Sequence, residues 1–317
     1  MSKADSQALE EAIYFAKPGA YKAKKFFKTF LVYLLLVIQA LIVILPFYIM
    51  ILTSVKSSSS LATSIDSFEW FVPLKEAWAN AIYNYSSAYA KIHFGRVVLN
   101  TVLVALVATT GTIITTVLSA FAFARLNFKG RDFLFGIFLA TMMVPGEMFI
   151  ITNYMTVGSL GWLGTAVTQS YLDAVLCETI PFMTSIFYIY YLRQTFKTIP
   201  NELYYAAKVD GTSDFKYLLK VMIPIAGGTI ISIIILNAMS SWNAYIWPTL
   251  VTNNELYALV TAALRAASFT INDISSGLPD YARQMAAAVM VTVPLLIVFF
   301  ALKKYIMRGV SRSGIKG

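Results

Sequence analysis

NELYYAAKVDGTSDFKYLLKVMIP, residues 201–224, decides how this chain is read. It gathers Glu202, Lys208, Asp210, Asp214, Lys216 and Lys220 around a central glycine, in a chain otherwise made of long apolar runs. Charge at that density is too costly to face lipid, so the stretch belongs outside a membrane. Its local signals are those of an ordered segment. Pro200 suits the first turn of a helix, and Glu202 then sits where the backbone dipole favours a carboxylate. Leu203, Ala206, Ala207 and Asp210 share a face at i, i+3, i+4 and i+7 spacing. The alanines make that face low, so another protein's backbone could approach it closely. Gly211 is placed for a left-handed helix cap, and Thr212 or Ser213 caps a second short helix over 214–220. Pro224 marks entry to the next apolar run. Two short helices at a glycine corner form a docking knob; an amphipathic interfacial linker fits the same pattern.

Working outward, the 317 residues are 58% hydrophobic and 13% charged, with mean hydropathy +0.68. Soluble domains carry about 25% charge, so the composition predicts an all-α integral membrane protein. The net charge of +9 comes from Lys and Arg placed between apolar runs. That suits membrane topology, and no basic face for a nucleic-acid partner is predicted. Cys177, the one cysteine, lies in an apolar run and reads as a small core residue, with no internal disulfide or Cys-based metal cluster to expect. His93, the one histidine, is read the same way.

Six stretches are long and apolar enough to cross a bilayer as helices: 30–52, 97–123, 134–155, 170–192, 221–241 and 285–302. Residues 1–29 carry Asp5, Glu10 and Glu11 and lack the pattern of a signal peptide; Lys22, Lys24, Lys25 and Lys28 precede the first apolar run. The segments on the N-terminal side of the six spans hold 19 of the 25 Lys and Arg. The positive-inside rule therefore predicts cytoplasmic termini and a cytoplasmic two-helix loop between spans four and five.

A resemblance enters at this loop. Ala206-Ala207, three residues, Gly211, nine residues, then Val221-Met222-Ile223-Pro224 looks like the "EAA" loop of ABC-importer membrane subunits. The surrounding text resembles the carbohydrate-importer branch, the group of MalG-like maltose permeases. Matching stretches are YLRQTFKTIP (191–200), VDG (209–211), SWNAYIWP (241–248), AFAFAR (120–125) and MVP (143–145). The likeness covers roughly residues 30 to 310. It implies a permease domain over 30–306 with a coupling loop at 198–220, an N-terminal cytoplasmic segment 1–29 and a tail 307–317. It also implies a second permease subunit, a cytoplasmic ABC ATPase dimer docked on the loop and an extracytoplasmic solute-binding protein. Glu202, Tyr205, Ala206, Ala207, Asp210 and Gly211 are the implied ATPase-coupling residues. Tyr205 stands where the motif has a glutamate, so Glu202, one turn earlier, is expected to carry the main polar contact.

No stretch reads Gly-x-x-x-x-Gly-Lys-Ser/Thr, the loop that holds nucleotide phosphates. This chain is therefore expected to be a non-catalytic transport subunit with no cofactor of its own, ATP and Mg residing on the partner ATPase.

Polar groups inside spans are candidates for a solute path. Glu147 follows Pro145-Gly146, and Glu178 precedes Pro181. Hydrogen bonding to a carbohydrate, with Asn153, Tyr154 and Asn237 assisting, is one reading; interhelical bonding is the other. Trp242, Asn243, Tyr245 and Trp247 cluster at the end of the fifth span. Aromatic faces and an asparagine suit sugar rings, while an interfacial aromatic belt also explains Trp and Tyr. Trp242, Asn243 and Tyr245 are taken as path residues, Trp247 as belt. The loop 53–96, with Trp70, Trp78, Tyr83, Tyr85 and Tyr89, meets the binding protein or forms a folded cover. The leading expectation is the permease subunit of a sugar or oligosaccharide importer. Its alternatives are a glycerol-phosphate or polyol importer and, from another class, an ion-coupled secondary transporter titrating Glu147 and Glu178.

Overall fold

The computed structural model describes residues 18–58, 61, 70–165, 167–270 and 279–311. The expected segment 1–29 and tail 307–317 lie partly outside those residues. What is described is nearly all helical; the only β pairing there is an isolated bridge between Thr270 and Pro279. In chain order the helices are α1 Pro18–Ser54, α2 Leu74–Lys91, α3 Phe94–Arg125, α4 Arg131–Thr141 and α5 Gly146–Ser159. Then come α6 Tyr171–Phe182, α7 Ile186–Lys197, α8 Asn201–Val209 and α9 Asp214–Ile225. The chain continues through α10 Gly227–Trp242, α11 Ile246–Val251, α12 Val260–Ala266 and α13 Tyr281–Ser311.

Among the described residues, α1, α3 and α13 are each long and apolar enough to cross a membrane. The count reaches six only if each of three bent pairs is taken as one span. The continuous helices expected over 134–155, 170–192 and 221–241 are therefore corrected. The pair α4/α5 bends by 86°, α6/α7 by 53° and α9/α10 by 80°. Proline explains the first break: Pro145 removes a donor and keeps Val144 out of helical geometry. At the second, Pro181 sits in a tight 3-10 turn, and Ser185 restarts the helix by accepting from the Tyr188 amide. The third falls at Ala226, after a π-helical turn over Leu218–Met222 and ahead of Gly227-Gly228. The second helix of the corner thus runs past Pro224, where the sequence placed the start of the span. Likewise α1 begins at Pro18, ahead of the expected 30.

The centre of the bundle is α3, packed against α7 and α10; α13 lies across α10 and is flanked by α1 and α2. The largest core joins Val117, Ala120 and Phe121 of α3 to Leu192, Phe196 and Ile199, then to Tyr217, Leu218 and Met222 of α9, and to Ile230 and Ile233 of α10. This apolar block forms the floor beneath the two-helix corner.

A bent span leaves carbonyls without helical partners, and lipid offers no replacement. At the α6/α7 break, α3 supplies it. Thr112 Oγ1 donates to the Phe182 carbonyl at 3.4 Å and Thr115 Oγ1 to the Met183 carbonyl at 2.5 Å. Gly111 makes room, since a Cβ there would lie 2.5 Å from Met183 Sδ. Replacing Thr115 by Val keeps the shape and removes the donor. Thr115→Val should lower stability by about 1–3 kcal/mol, the cost of an unpaired buried carbonyl. Thermal unfolding in detergent reads this, with Thr115→Ser near wild type.

Candidate functional site: the two-helix corner and the opposite end

Helix α8 ends in a Schellman motif. Gly211 has φ +70°, the Thr212 amide donates to the Ala207 carbonyl at 2.9 Å, and the Gly211 amide to Lys208 at 3.1 Å. A left-handed residue at this point favours glycine. Ser213 then caps α9 by accepting from the Lys216 amide. One carboxylate ties the two helices together: Asp214 accepts from Tyr204 Oη at 2.7 Å and from Lys208 Nζ at 2.8 Å. The Tyr204 ring also meets Tyr217 edge-on at 5.2 Å.

The expected low face needs one correction. Tyr204 and Ala207 pack down on the apolar floor, so Ala207 belongs to the inner side of α8. Tyr204 sets that orientation, because its hydroxyl is held by Asp214 and its ring by Tyr217, whereas Tyr205 faces out. Leu203, Ala206 and Asp210 stay exposed, with Glu202 and Tyr205 beside them. Apolar side chains are bared on both helices of the corner: Val209 is 88% exposed, Tyr205 63%, Phe215 61% and Leu203 44%.

Beneath the corner lie two arginines the sequence reading did not single out. Arg125, last residue of α3 and 7% exposed, donates to the Phe196 carbonyl at 2.9 Å, to the Ile199 carbonyl and to Asn201 Oδ1. Arg193 of α7 donates in return to the Phe123 carbonyl at 3.1 Å, lies over the Phe135 ring at 3.8 Å and pairs with Asp132 at 3.6 Å. The legible signal was a basic residue closing each apolar run.

At the opposite end the proposed path residues do not converge. Glu147 is exposed at the α4/α5 bend, with Asn153 half-buried and Tyr154 exposed along α5. Glu178 is buried and accepts from Thr252 Oγ1 at 2.9 Å, a bond between α6 and the segment after α11. Asn237 donates to Thr109 Oγ1 at 3.1 Å, and the Trp242 indole donates to the Val291 carbonyl at 3.3 Å. Asn243 closes α10 by donating to the Met239 carbonyl at 2.9 Å. Arg265 stacks over Tyr245 at 4.8 Å. Trp247 is a core residue, not a belt residue: it is 7% exposed and its indole donates to the Cys177 carbonyl at 3.0 Å. Cys177 is buried, while His93 is exposed at φ 50° between α2 and α3, against its core reading.

A polar knot that the sequence reading passed over holds this end together. Asp280, 1% exposed, caps α13, binds Arg283 and accepts from Ser58 Oγ at 2.8 Å. Arg283 extends to the Thr270 carbonyl at 2.7 Å and to Ser87 of α2. An acid directly before an apolar run, three residues ahead of an arginine, was the available signal. Of the loop aromatics, Trp78, Tyr83 and Tyr89 are exposed on α2, and Tyr85 exchanges a hydrogen bond with Ser54 at 3.0 Å. No group of three His, Cys, Asp or Glu able to hold a metal occurs among the described residues.

Residues 113–312 match the family described as binding-protein-dependent transport system inner membrane component. The lactose transport system permease protein LacG of Rhizobium radiobacter is 27% identical over 282 residues, covering 89% of this chain and 94% of the relative. The sn-glycerol-3-phosphate transport system permease protein UgpE of Yersinia pestis bv. Antiqua (strain Antiqua) is 26% identical over 290 residues, covering 89% and 95%. Among solved structures, a bacterial ABC transporter involved in the import of the acidic polysaccharide alginate shares the fold. Its TM-score is 0.73 at 22% identity, over 89% of this chain and 97% of that one.

The corner's polar tie has a defined pH window. Hydrogen bonds from Lys208, then Tyr204, hold Asp214 below its ordinary value, and the bond to Asp214 raises Lys208. A depressed carboxylate stabilises above its unfolded pKa, about 3.9, and the gain is lost as pH falls through the lower folded value. A raised lysine stabilises below its unfolded value, about 10.4, and that gain is lost as pH rises through the folded one. Amide protection factors over 213–217 should be flat across neutral pH and fall below about pH 4. Asp214→Asn should be lower throughout and lack the acid limb.

Proposed function

The chain belongs to the binding-protein-dependent transport system inner membrane components, the permeases of ABC importers, and on that footing we propose that it is one half of the translocation path for a sugar or oligosaccharide. In this reading six spans cross the cytoplasmic membrane, three of them bent, with both termini and the corner at 198–220 in the cytosol. The lean of Lys and Arg to that side supports the orientation. A second permease completes the path, an extracytoplasmic protein delivers the solute, and a separate ATPase binds ATP and Mg. A glycerol-phosphate or polyol cargo is the alternative, since relatives named for both lactose and sn-glycerol 3-phosphate align along most of the chain.

The observation that carries the reading is the exposure of four large apolar side chains, Leu203, Tyr205, Val209 and Phe215, on a corner fixed from below. Apolar side chains bared on a short helical corner fit a partner's cleft, with the exposed Glu202 and Asp210 beside them for polar contact. Gly211 shapes the corner, and Ala206 leaves room for close approach. Val209, the most exposed of the four, separates docking from folding.

Val209→Asp should leave the chain's membrane content unchanged and lower the ATPase co-purified with it by about tenfold or more. Unchanged retention would sink the docking face. At the opposite end, Glu147 is exposed in this chain and would be enclosed with the solute once the second permease completes the path. Glu147→Gln should then shift the preference between a sugar and its deoxy analogue by about tenfold, because a desolvated hydrogen-bonding partner rejects what leaves it unpaired. Competition uptake in proteoliposomes checks this; equal slowing of every solute would assign Glu147 to packing.

A further inference from the structure

Arg125 is placed at a junction of four elements. It ends α3 and binds the last turn of α7, the link to α8 and the first residue of α8. The fourth element is α9. Its Tyr217 is 1% exposed, in the same core as Phe196 and Ile199. Burial pushes the Tyr217 phenol up, and the Arg125 charge offsets part of that rise.

Each of the two also carries an idle polar atom. Arg125 Nε and Tyr217 Oη are both buried with no hydrogen-bond partner among the described residues. A phenylalanine at 217 would fill the same space and keep the edge-on contact with Tyr204, without burying an unpaired hydroxyl. The hydroxyl therefore costs stability in this arrangement and returns nothing to it. A guanidinium has five donors in a rigid fork, so a modest turn that releases one carbonyl presents Nε–H elsewhere.

We propose that Arg125 is the positioning residue of the coupling corner, and that Tyr217 Oη is the partner it takes when the corner moves against α3 during the ATPase cycle. In the arrangement described, Arg125 fastens α3 to α7 and α8. In the second arrangement, the Nε–H bond to Tyr217 fastens α3 to α9 instead. The corner then swings as a unit, because the Asp214 tie and the Tyr204–Tyr217 contact keep α8 and α9 together. The proposal rests on the importer reading above, since only a moving ATPase gives the second arrangement a use.

The test uses the assembled importer, captured through a tag on this chain from membranes expressing it with its own subunits, in proteoliposomes with Mg-ATP as the probe. Tyr217→Phe should retain the ATPase in full and unfold at the same temperature or higher. Its Mg-ATP turnover should fall about tenfold with unchanged KM, the worth of one charge-assisted hydrogen bond. Arg125→Lys should also slow turnover, and adding Tyr217→Phe to it should slow it no further, because the two act as one pair. Wild-type turnover in Tyr217→Phe, a lowered unfolding temperature, or losses that multiply in the double variant would each overturn the proposal. A wild-type chain that retains no ATPase would fail the importer reading itself, and this inference with it.

Discussion

Where α3 and α7 stop, their last carbonyls have no next turn to bond to, and each helix answers with an arginine from the other. Arg125 serves Phe196 and Ile199; Arg193 serves Phe123. A helix leaves four carbonyls open at its C-terminus, and a guanidinium suits them in both charge and donor count. The exchange works only if the two helices run the same way and end level. It therefore sets their alignment, and that alignment builds the block of Phe121, Leu192, Phe196 and Tyr217 on which the corner rests.

Polar side chains within and beside the spans likewise find partners, some on the backbone and some on each other. Thr112 and Thr115 serve a broken helix, Asn237 meets Thr109, Glu178 meets Thr252, and Trp247 serves Cys177. Gln169 adds a bond to the Val251 carbonyl at 2.8 Å and accepts from the Asn253 amide. Bent spans free backbone groups that only side chains can satisfy, so irregular helices and intramembrane polar residues come together. A polar residue in a span is thus as easily a partner for the backbone as a contact for a solute.

What could be read from the sequence follows the range of each signal. The corner was legible because Pro200, Gly211 and Ser213 act within a turn or two of themselves. The long helices were legible because mean apolarity over some twenty residues is all a span requires. The bends were not, since an apolar window has the same mean whether straight or folded by 80°. The prolines at 145 and 181 marked two bends, but the third falls at Ala226, two residues beyond Pro224. Ala207 was turned outward on the smallness of its side chain, when Tyr204 three residues earlier decides the roll of α8. Trp247 and His93 were assigned by residue type alone, and tertiary packing reversed both. Arg125 and Arg193 entered only as positive charge and as part of the stretches AFAFAR and YLRQTFKTIP, with no role of their own, because their targets are carbonyls some seventy residues away in the chain.

Cys177 closes one door and opens another. It is the chain's single thiol, sealed between α6 and α11 beside Trp247. An aqueous maleimide therefore finds almost nothing to label on the folded protein. A cysteine introduced at any exposed position becomes the one reactive handle, and a pair of them can carry a spectroscopic ruler with no background to subtract. The native chain is in effect already a cysteine-free scaffold, and its motions can be measured without first redesigning its core.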